Sequence, residues 1–290
     1  MALFIWSGAG TAMMHGQLIG QMQTELAFGL AIFVVVTAIG HHSGGQVNTA
    51  VTLMLWITGD LDGKQAVMNG IGQFLGACVG GGLLAATIPE AMDKTHQGSL
   101  HDGFATNAVS NGVLSGLIGE IAGSFLLCFV VLECAVNKAS DKHNVALAIG
   151  MAVYMAHALL IAVDGCSINP PRSFGMAFIG VIGGRDIGNG FRDIWIFFVG
   201  PGLGALAAAT YARGTWHNKH PSFLHGEPNK ERTVVVKDDS IRGSSGGVIR
   251  GASWIREPNQ HLSTGLPQDA ASRGQPRTVI DGRTGGITSI

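Results

Sequence analysis

Long apolar stretches dominate this chain and constrain its fold more than any other feature. Five of them are long enough to cross a hydrocarbon layer of about 30 Å, which takes roughly 17–25 helical residues. Residues 1–14 are also apolar but too short to cross, and we interpret them as the second half of a spanning helix. Stretches of this length predict an all-α membrane protein. The five long stretches cover residues 23–40, 65–87, 110–136, 144–162 and 191–213.

Charged residues are distributed unevenly and divide the chain in two. Residues 1–213 carry 20 charged side chains, whereas the 77 residues after them carry 17. Because residues 214–290 are polar and show no apolar periodicity, we expect them to form a disordered tail. The net charge of −1, without clustered basic residues, argues against nucleic-acid binding. The four cysteines show no CxxC spacing, so we expect neither a zinc site nor a disulfide framework.

Two short apolar segments occupy matching places in the two halves of residues 1–213. Residues 48–58 and 169–179 each have the length of about 16 Å of helix, which is half a membrane. Each begins with Asn, a favoured N-cap residue. Short interrupted segments at corresponding positions indicate a site at the bilayer midplane. The order of long and short segments predicts an inverted repeat with two half-helices.

The two asparagines suggest how such a site would act. The N-terminus of a half-helix carries unpaired N–H groups and about half a positive charge. Two such ends meeting at mid-membrane repel cations and protons. We expect Asn48 and Asn169 to cap these ends and to offer amide N–H groups to a pore. A water molecule that accepts from both would turn its own hydrogens away, which interrupts a proton relay.

Three segments of the chain resemble a known family. The motifs GHHSGGQVNTAVTLML (40–55) and GCSINPPRSFG (165–175) resemble the signature loops of the aquaporins, the major intrinsic protein family, and WIFFVGPGLGALAA (195–208) resembles its last span. The resemblance covers residues 1 to about 213. It implies six transmembrane helices, the first incomplete here, and two re-entrant half-helices. It also implies a water-conducting homotetramer in the plasma membrane, without cofactor or enzymatic activity.

Both motifs depart from the Asn-Pro-Ala sequence of the family. The first reads Asn48-Thr49-Ala50 and the second Asn169-Pro170-Pro171. Thr lacks the preset φ that suits Pro to the first helical position. Pro171 stands in the first turn, where it removes no intrahelical donor, but it is bulkier than Ala. We therefore expect a working pore with an altered junction.

An arginine marks the expected selectivity filter. A cation inside a membrane segment is costly, and in the first turn of a half-helix it also opposes the helix dipole. These costs favour a functional role for Arg172, which would exclude cations and donate hydrogen bonds to the permeant. The family resemblance implies that Phe28, His157 and Cys166 complete the filter. Because two of these side chains are bulky, we expect a constriction about one water molecule wide.

Two further residues are implied to support the loops. Glu120 is a carboxylate within an apolar run and needs a partner. By resemblance it holds the second re-entrant loop, and His41 stabilises the first. The glutamate that corresponds to Glu120 in the first half would lie just upstream of Met1, so we expect the chain to start at an internal Met.

Several alternatives remain open at this point. Glycerol facilitators of the family have a small residue in place of His157 and Asp in place of Ser173, which argues against glycerol. Hydrogen peroxide is harder to exclude, and the third alternative is a non-conducting truncated relative. The positive-inside rule places the tail in the cytoplasm. The basic residues on that side are Lys64, Lys138, Lys142 and Arg213, against Lys94, Arg185 and Arg192 on the other.

Overall fold

The computed structural model of the chain describes residues 1–15, 21–96, 103–110 and 112–216. These residues belong to one compact unit, and the predicted tail lies outside them from residue 217 onward. The described residues contain helices and loops but no β-strand, so the prediction of an all-α protein is confirmed. The helices are α1 (Ala2–His15), α2 (Gln21–Ser43), α3 (Thr49–Thr58), α4 (Gly63–Thr87), α5 (Val113–Val130), α6 (Val145–Asp164), α7 (Pro170–Ile182) and α8 (Ile196–Trp216).

Five of the described helices are long and apolar enough to span a membrane. They are α2, α4, α6, α8 and α5, the last extended by a π-helical turn at Val131–Val136. The outer faces of these helices carry large apolar side chains that would be destabilising in water and are suited to lipid. Examples of these exposed side chains are Met22, Val34, Leu75, Leu114 and Leu159.

The two halves of the chain, α1–α4 and α5–α8, have the same order and the same packing. Helix α1 packs on α2 and α4, and α5 packs in the same way on α6 and α8. Each half-helix packs against the last helix of the other half, α3 on α8 and α7 on α4. Besides its half-helix, each half contains three helices, of which α1 is shortened, and an odd number of crossings leaves the chain on the opposite side of the membrane, so the second half runs inverted to the first. This is the repeat that the sequence predicted.

The halves meet backbone to backbone where α2 crosses α6. A Cβ atom on Gly29 would lie 2.8 Å from the carbonyl oxygen of Gly150, and one on Gly150 would lie 2.6 Å from that of Gly29. No other residue fits at these positions without moving a backbone. The pair of glycines therefore sets the distance between the helices that carry Phe28 and His157.

Two helix boundaries differ clearly from the predicted ranges. Helix α5 begins at Val113 rather than at residue 110, since Gly112 has a φ of 106°. Helix α8 begins at Ile196 rather than at residue 191. The segment before it is bound to a loop instead, because Asp193 accepts a hydrogen bond from the Val109 N–H at 3.0 Å.

Candidate functional site

The two asparagine side chains tie the half-helices together. The Nδ2 atom of Asn48 donates to the carbonyl oxygen of Ile168 at 2.7 Å, and Nδ2 of Asn169 donates to that of Val47 at 2.8 Å. Val47 and Ile168 both have positive φ values, 48° and 43°. Each amide therefore joins the start of one half-helix to the residue before the other, and the N-termini of α3 and α7 face each other.

The two asparagines differ in how they cap their helices. Oδ1 of Asn48 accepts a hydrogen bond from the Ala50 N–H at 2.9 Å. Asn169 also stands at the N-cap position, but its side chain accepts no cap hydrogen bond. The physical reason is Pro171, which takes the place of Ala50 and has no N–H. The expectation that both side chains cap was wrong for Asn169.

Three of the four expected filter residues lie in contact. The rings of Phe28 and His157 are stacked, with their centroids 4.4 Å apart. The guanidinium carbon of Arg172 lies 5.3 Å from the centroid of the Phe28 ring. Nδ1 of His157 is hydrogen-bonded to the carbonyl oxygen of Val153 at 2.8 Å, which fixes the ring orientation. All three filter side chains are buried.

Two cavities approach this cluster from opposite sides. A cavity of about 780 Å³ is bordered by Asn48, Asn169 and His157, and reaches His42 at its other end. A small cavity of about 30 Å³ is bordered by Phe28 and Arg172. The stacked rings therefore stand between the two cavities. Because the two rings are in van der Waals contact, nothing passes between them unless at least one ring is displaced.

Cys166 is placed differently from the other three filter candidates. It is fully buried and borders neither of these two cavities. Its backbone has a φ of 49°, and its N–H donates to Oδ1 of Asp164 at 2.9 Å. In this structure, Cys166 thus shapes the loop before α7 rather than the surface of either cavity.

The filter arginine has a partner that the sequence did not predict. Nη1 of Arg172 donates to Oδ1 of Asn107, which also accepts from the Ser173 hydroxyl at 2.6 Å. Nδ2 of Asn107 donates to the carbonyl oxygen of Asp164 at 3.3 Å. Asn107 lies in the loop between α4 and α5, 65 residues from Arg172. A single polar residue in a loop carries no pattern that would reveal this role.

An ion pair between the exposed Arg192 and the buried Asp193 holds the same loop near the filter. Asp193 accepts from the Val109 N–H and from Nε of Arg192, the latter at 2.7 Å. Burial alone would raise the pKa of Asp193, but these hydrogen bonds and the guanidinium charge outweigh it and lower the pKa below its usual range. The carboxylate therefore stays ionised and ties the segment before α8 to the loop that carries Asn107.

Glu120 supports the second half-helix loop directly. Its Oε1 accepts from the Ser167 N–H at 2.8 Å, and its Oε2 accepts from the Ile168 N–H at 2.7 Å. The residue is fully buried. Both carboxylate oxygens are thus used to hold the two residues that precede Asn169.

The loop before α3 is not held by His41, the residue that was expected to support it. His41 lies exposed on the last turn of α2, and its ring packs on His42 with centroids 3.9 Å apart. The assignment of His41 as loop support was wrong, because α2 continues to Ser43 and leaves its ring outside. The loop is braced instead by Gln46, whose Oε1 accepts from Thr52 Oγ1 and Asn69 Nδ2, both at 2.9 Å.

These features define an all-helical, multi-pass membrane protein in which two half-helices meet end to end. The family model of the major intrinsic proteins matches residues 1–211. The chain is 38% identical over 200 residues to the probable aquaporin PIP2-8 of Arabidopsis thaliana, covering 67% of this chain and 68% of that protein. It is 34% identical over 223 residues to aquaporin-1 of Mus musculus, covering 73% and 77%.

A solved structure shows the same fold. The aquaglyceroporin from Plasmodium falciparum superposes with a TM-score of 0.61 at 21% identity, covering 73% of this chain and 89% of that chain. The chain belongs to the major intrinsic protein family. It is an integral membrane channel for water or small solutes and not an enzyme. The family resemblance seen in the loop motifs is therefore confirmed.

Proposed function

We propose that this channel conducts water passively and that its narrowest part lies among Phe28, His157 and Arg172. The proposal rests on three buried polar atoms for which the described residues offer no hydrogen-bond partner: His157 Nε2, Arg172 Nε and Asn169 Oδ1. Such orphaned groups are rare in native proteins, and bound water is a common partner for them. A single file of water molecules would supply all three partners as it passes.

The geometry of the cluster supports selection by size. The displacement that opens the contact between Phe28 and His157 is smallest for the smallest permeant. Water needs the least space, hydrogen peroxide only a little more, and glycerol much more. Position 173 is Ser rather than the Asp that follows the filter arginine in glycerol facilitators, and its hydroxyl donates to Asn107. Water is therefore the preferred permeant, with peroxide as the competing one.

Vesicles that contain the purified chain provide the direct test. We expect them to shrink in an osmotic gradient faster than empty vesicles, with glycerol uptake close to that of empty vesicles. Stopped-flow light scattering measures both rates. Glycerol flux equal to water flux would contradict the assignment, and shrinkage no faster than in empty vesicles would favour a non-conducting relative.

The second prediction concerns the positive charge of Arg172. Replacing Arg172 by Val removes a buried cation but leaves both half-helix dipoles. We expect retained water flux and a rise in proton leak of about tenfold, which corresponds to about 1.4 kcal/mol of barrier. A pH-sensitive dye inside vesicles measures the leak. Arg213→Gln, at the exposed end of α8, removes the same charge away from the pore and should leave the leak unchanged.

The orientation and assembly of the channel are part of the same proposal. We infer a cytoplasmic C-terminus, since the basic residues favour that side. The family resemblance supports a homotetramer in the plasma membrane. The apolar outer faces of α4 and α5 would then pack partly against neighbouring copies and partly against lipid.

A further inference from the structure

The second half-helix lacks one backbone donor that the first possesses. Position 171 is Pro, whereas Ala50 at the matching position of α3 donates its N–H to Asn48 at 2.9 Å. We propose that Pro171 determines specificity at the half-helix junction, because it leaves Oδ1 of Asn169 free to accept a hydrogen bond from the permeant. This inference rests on the proposed water conduction and concerns the orientation of water within the pore.

Apart from this donor, the two halves of the junction are alike. Both asparagines stand at N-cap positions with extended backbones, with φ values of −161° for Asn48 and −154° for Asn169. Both donate from Nδ2 to the opposite loop, at 2.7 and 2.8 Å. The absence of an N–H at residue 171 therefore accounts for the orphaned oxygen of Asn169.

No other protein donor replaces the missing one in the described structure. The next backbone N–H, that of Arg172, is used by the carbonyl oxygen of Asn169 at 2.9 Å. Rotating the amide by half a turn would place Oδ1 against the carbonyl oxygen of Val47, so that two acceptors would face each other. Asn169 is 2% exposed and borders the large cavity together with Asn48. Oδ1 of Asn169 is thus fixed in position, is itself buried and has no hydrogen-bond partner among the described residues, in a residue that borders the large cavity.

A free acceptor changes what a water molecule can do at the junction. Between two amide donors alone, water accepts twice and turns both hydrogens away. With Oδ1 of Asn169 available, water can accept from Asn48 and donate to Asn169. Its orientation is then no longer forced, and the hydrogen-bonded chain of water is interrupted less completely. In such a chain each water molecule releases one proton for each that it receives, so no other reactant is needed.

Two single substitutions separate this effect from a change in helix shape. Pro171→Ala restores the N–H at the second helical position, which an N-cap oxygen reaches. Pro170→Ala restores an N–H at the first helical position, which lies out of reach, and serves as the matched control. Pro171→Gly also restores the donor and is a second test should the Ala variant fold poorly.

The first measurement is solid-state NMR of the chain in hydrated bilayers with labelled asparagine. We expect a water contact at the side-chain carbonyl carbon of Asn169 in the unmodified chain and in Pro170→Ala. The contact should be lost, with a shift of the carbon resonance, in Pro171→Ala. An unchanged resonance and contact in Pro171→Ala and Pro171→Gly would overturn the inference. This readout does not depend on conduction.

The second measurement is proton flux into vesicles in the Arg172→Val background, where a leak is expected. Adding Pro171→Ala should lower the flux about threefold or more, the range of one neutral hydrogen bond. Adding Pro170→Ala should not change it. Equal flux in the two double variants would contradict the inference. Absence of water flux in the unmodified chain would instead contradict the proposed function, so the two failures are distinguishable.

Discussion

Replacing Phe28 by Ala and His157 by Gly together should turn the channel into one that admits glycerol. The two rings are stacked 4.4 Å apart and stand between the large and the small cavity. Removing both leaves an opening several atoms wide where there is now van der Waals contact. We expect glycerol uptake to rise at least about tenfold, since even one methylene in an apolar pocket controls selectivity of that size. Shrinkage and reswelling of vesicles in glycerol measure the change.

A matched pair of substitutions on the outer faces of the same helices provides the control. The side chains of Leu30 on α2 and Met155 on α6 are 44% and 57% exposed, respectively. Leu30→Ala combined with Met155→Gly removes comparable bulk without touching the cavities. Glycerol uptake in this control would indicate general damage to the helices. A glycerol-tight Phe28→Ala, His157→Gly channel with normal water flux would show that the stacked rings are not the barrier.

Much of this architecture could be predicted because its signals are local. Half-helices are too short to span a membrane, and each begins with an asparagine, so Asn48 and Asn169 stand out as a pair. Glu120 and Arg172 are conspicuous because charged groups in apolar segments need a specific reason to be there. Such residues violate the pattern around them, and the violation is visible in the sequence.

The residues that were missed are ordinary in their own surroundings. Asn107 reaches Arg172 from a loop 65 residues away, and nothing in its neighbours distinguishes it from a solvated asparagine. Gln46 braces the first loop by contacts with Thr52 and Asn69 that exist only once α3 and α4 are packed. Side-chain contacts of this kind follow from the assembled fold and not from sequence spacing.

The capping error at Asn169 has a different origin, since its cause was present in the sequence. Within the helix itself, the missing N–H of Pro171 breaks no intrahelical bond, so Pro171 fits this position. The same N–H is the donor that the Asn169 side chain would have used.

The contact between the Phe28 and His157 rings, like those of Asn107 and Gln46, follows only from the assembled fold. The Phe28 ring is positioned by Phe4, with centroids 5.3 Å apart, and by the absence of a side chain at Gly8.

Loss of the Glu120 carboxylate should have the largest effect on stability. Its two oxygens accept hydrogen bonds from the N–H groups of Ser167 and Ile168, and the side chain is fully buried. Glu120→Ala would leave two buried donors without partners, each costing about 1–3 kcal/mol. Glu120→Gln keeps one acceptor but turns an NH₂ group toward the other donor, so it should retain about half of the stabilisation.

The order of these variants is what tests the role of Glu120. We expect the temperature at which half of the protein leaves the monodisperse peak on size-exclusion chromatography to fall in the order unmodified, Glu120→Gln, Glu120→Ala. The total drop should be about 4–24 °C, since the loss of about 2–6 kcal/mol lowers the temperature by about 2–4 °C for each kcal/mol. Glu90→Gln removes an exposed carboxylate and should melt like the unmodified chain. Because the loop held by Glu120 also carries Asn169 and precedes Arg172, water flux should fall with stability. A Glu120→Ala channel that melts and conducts normally would show that these two hydrogen bonds do not hold the second half-helix in place.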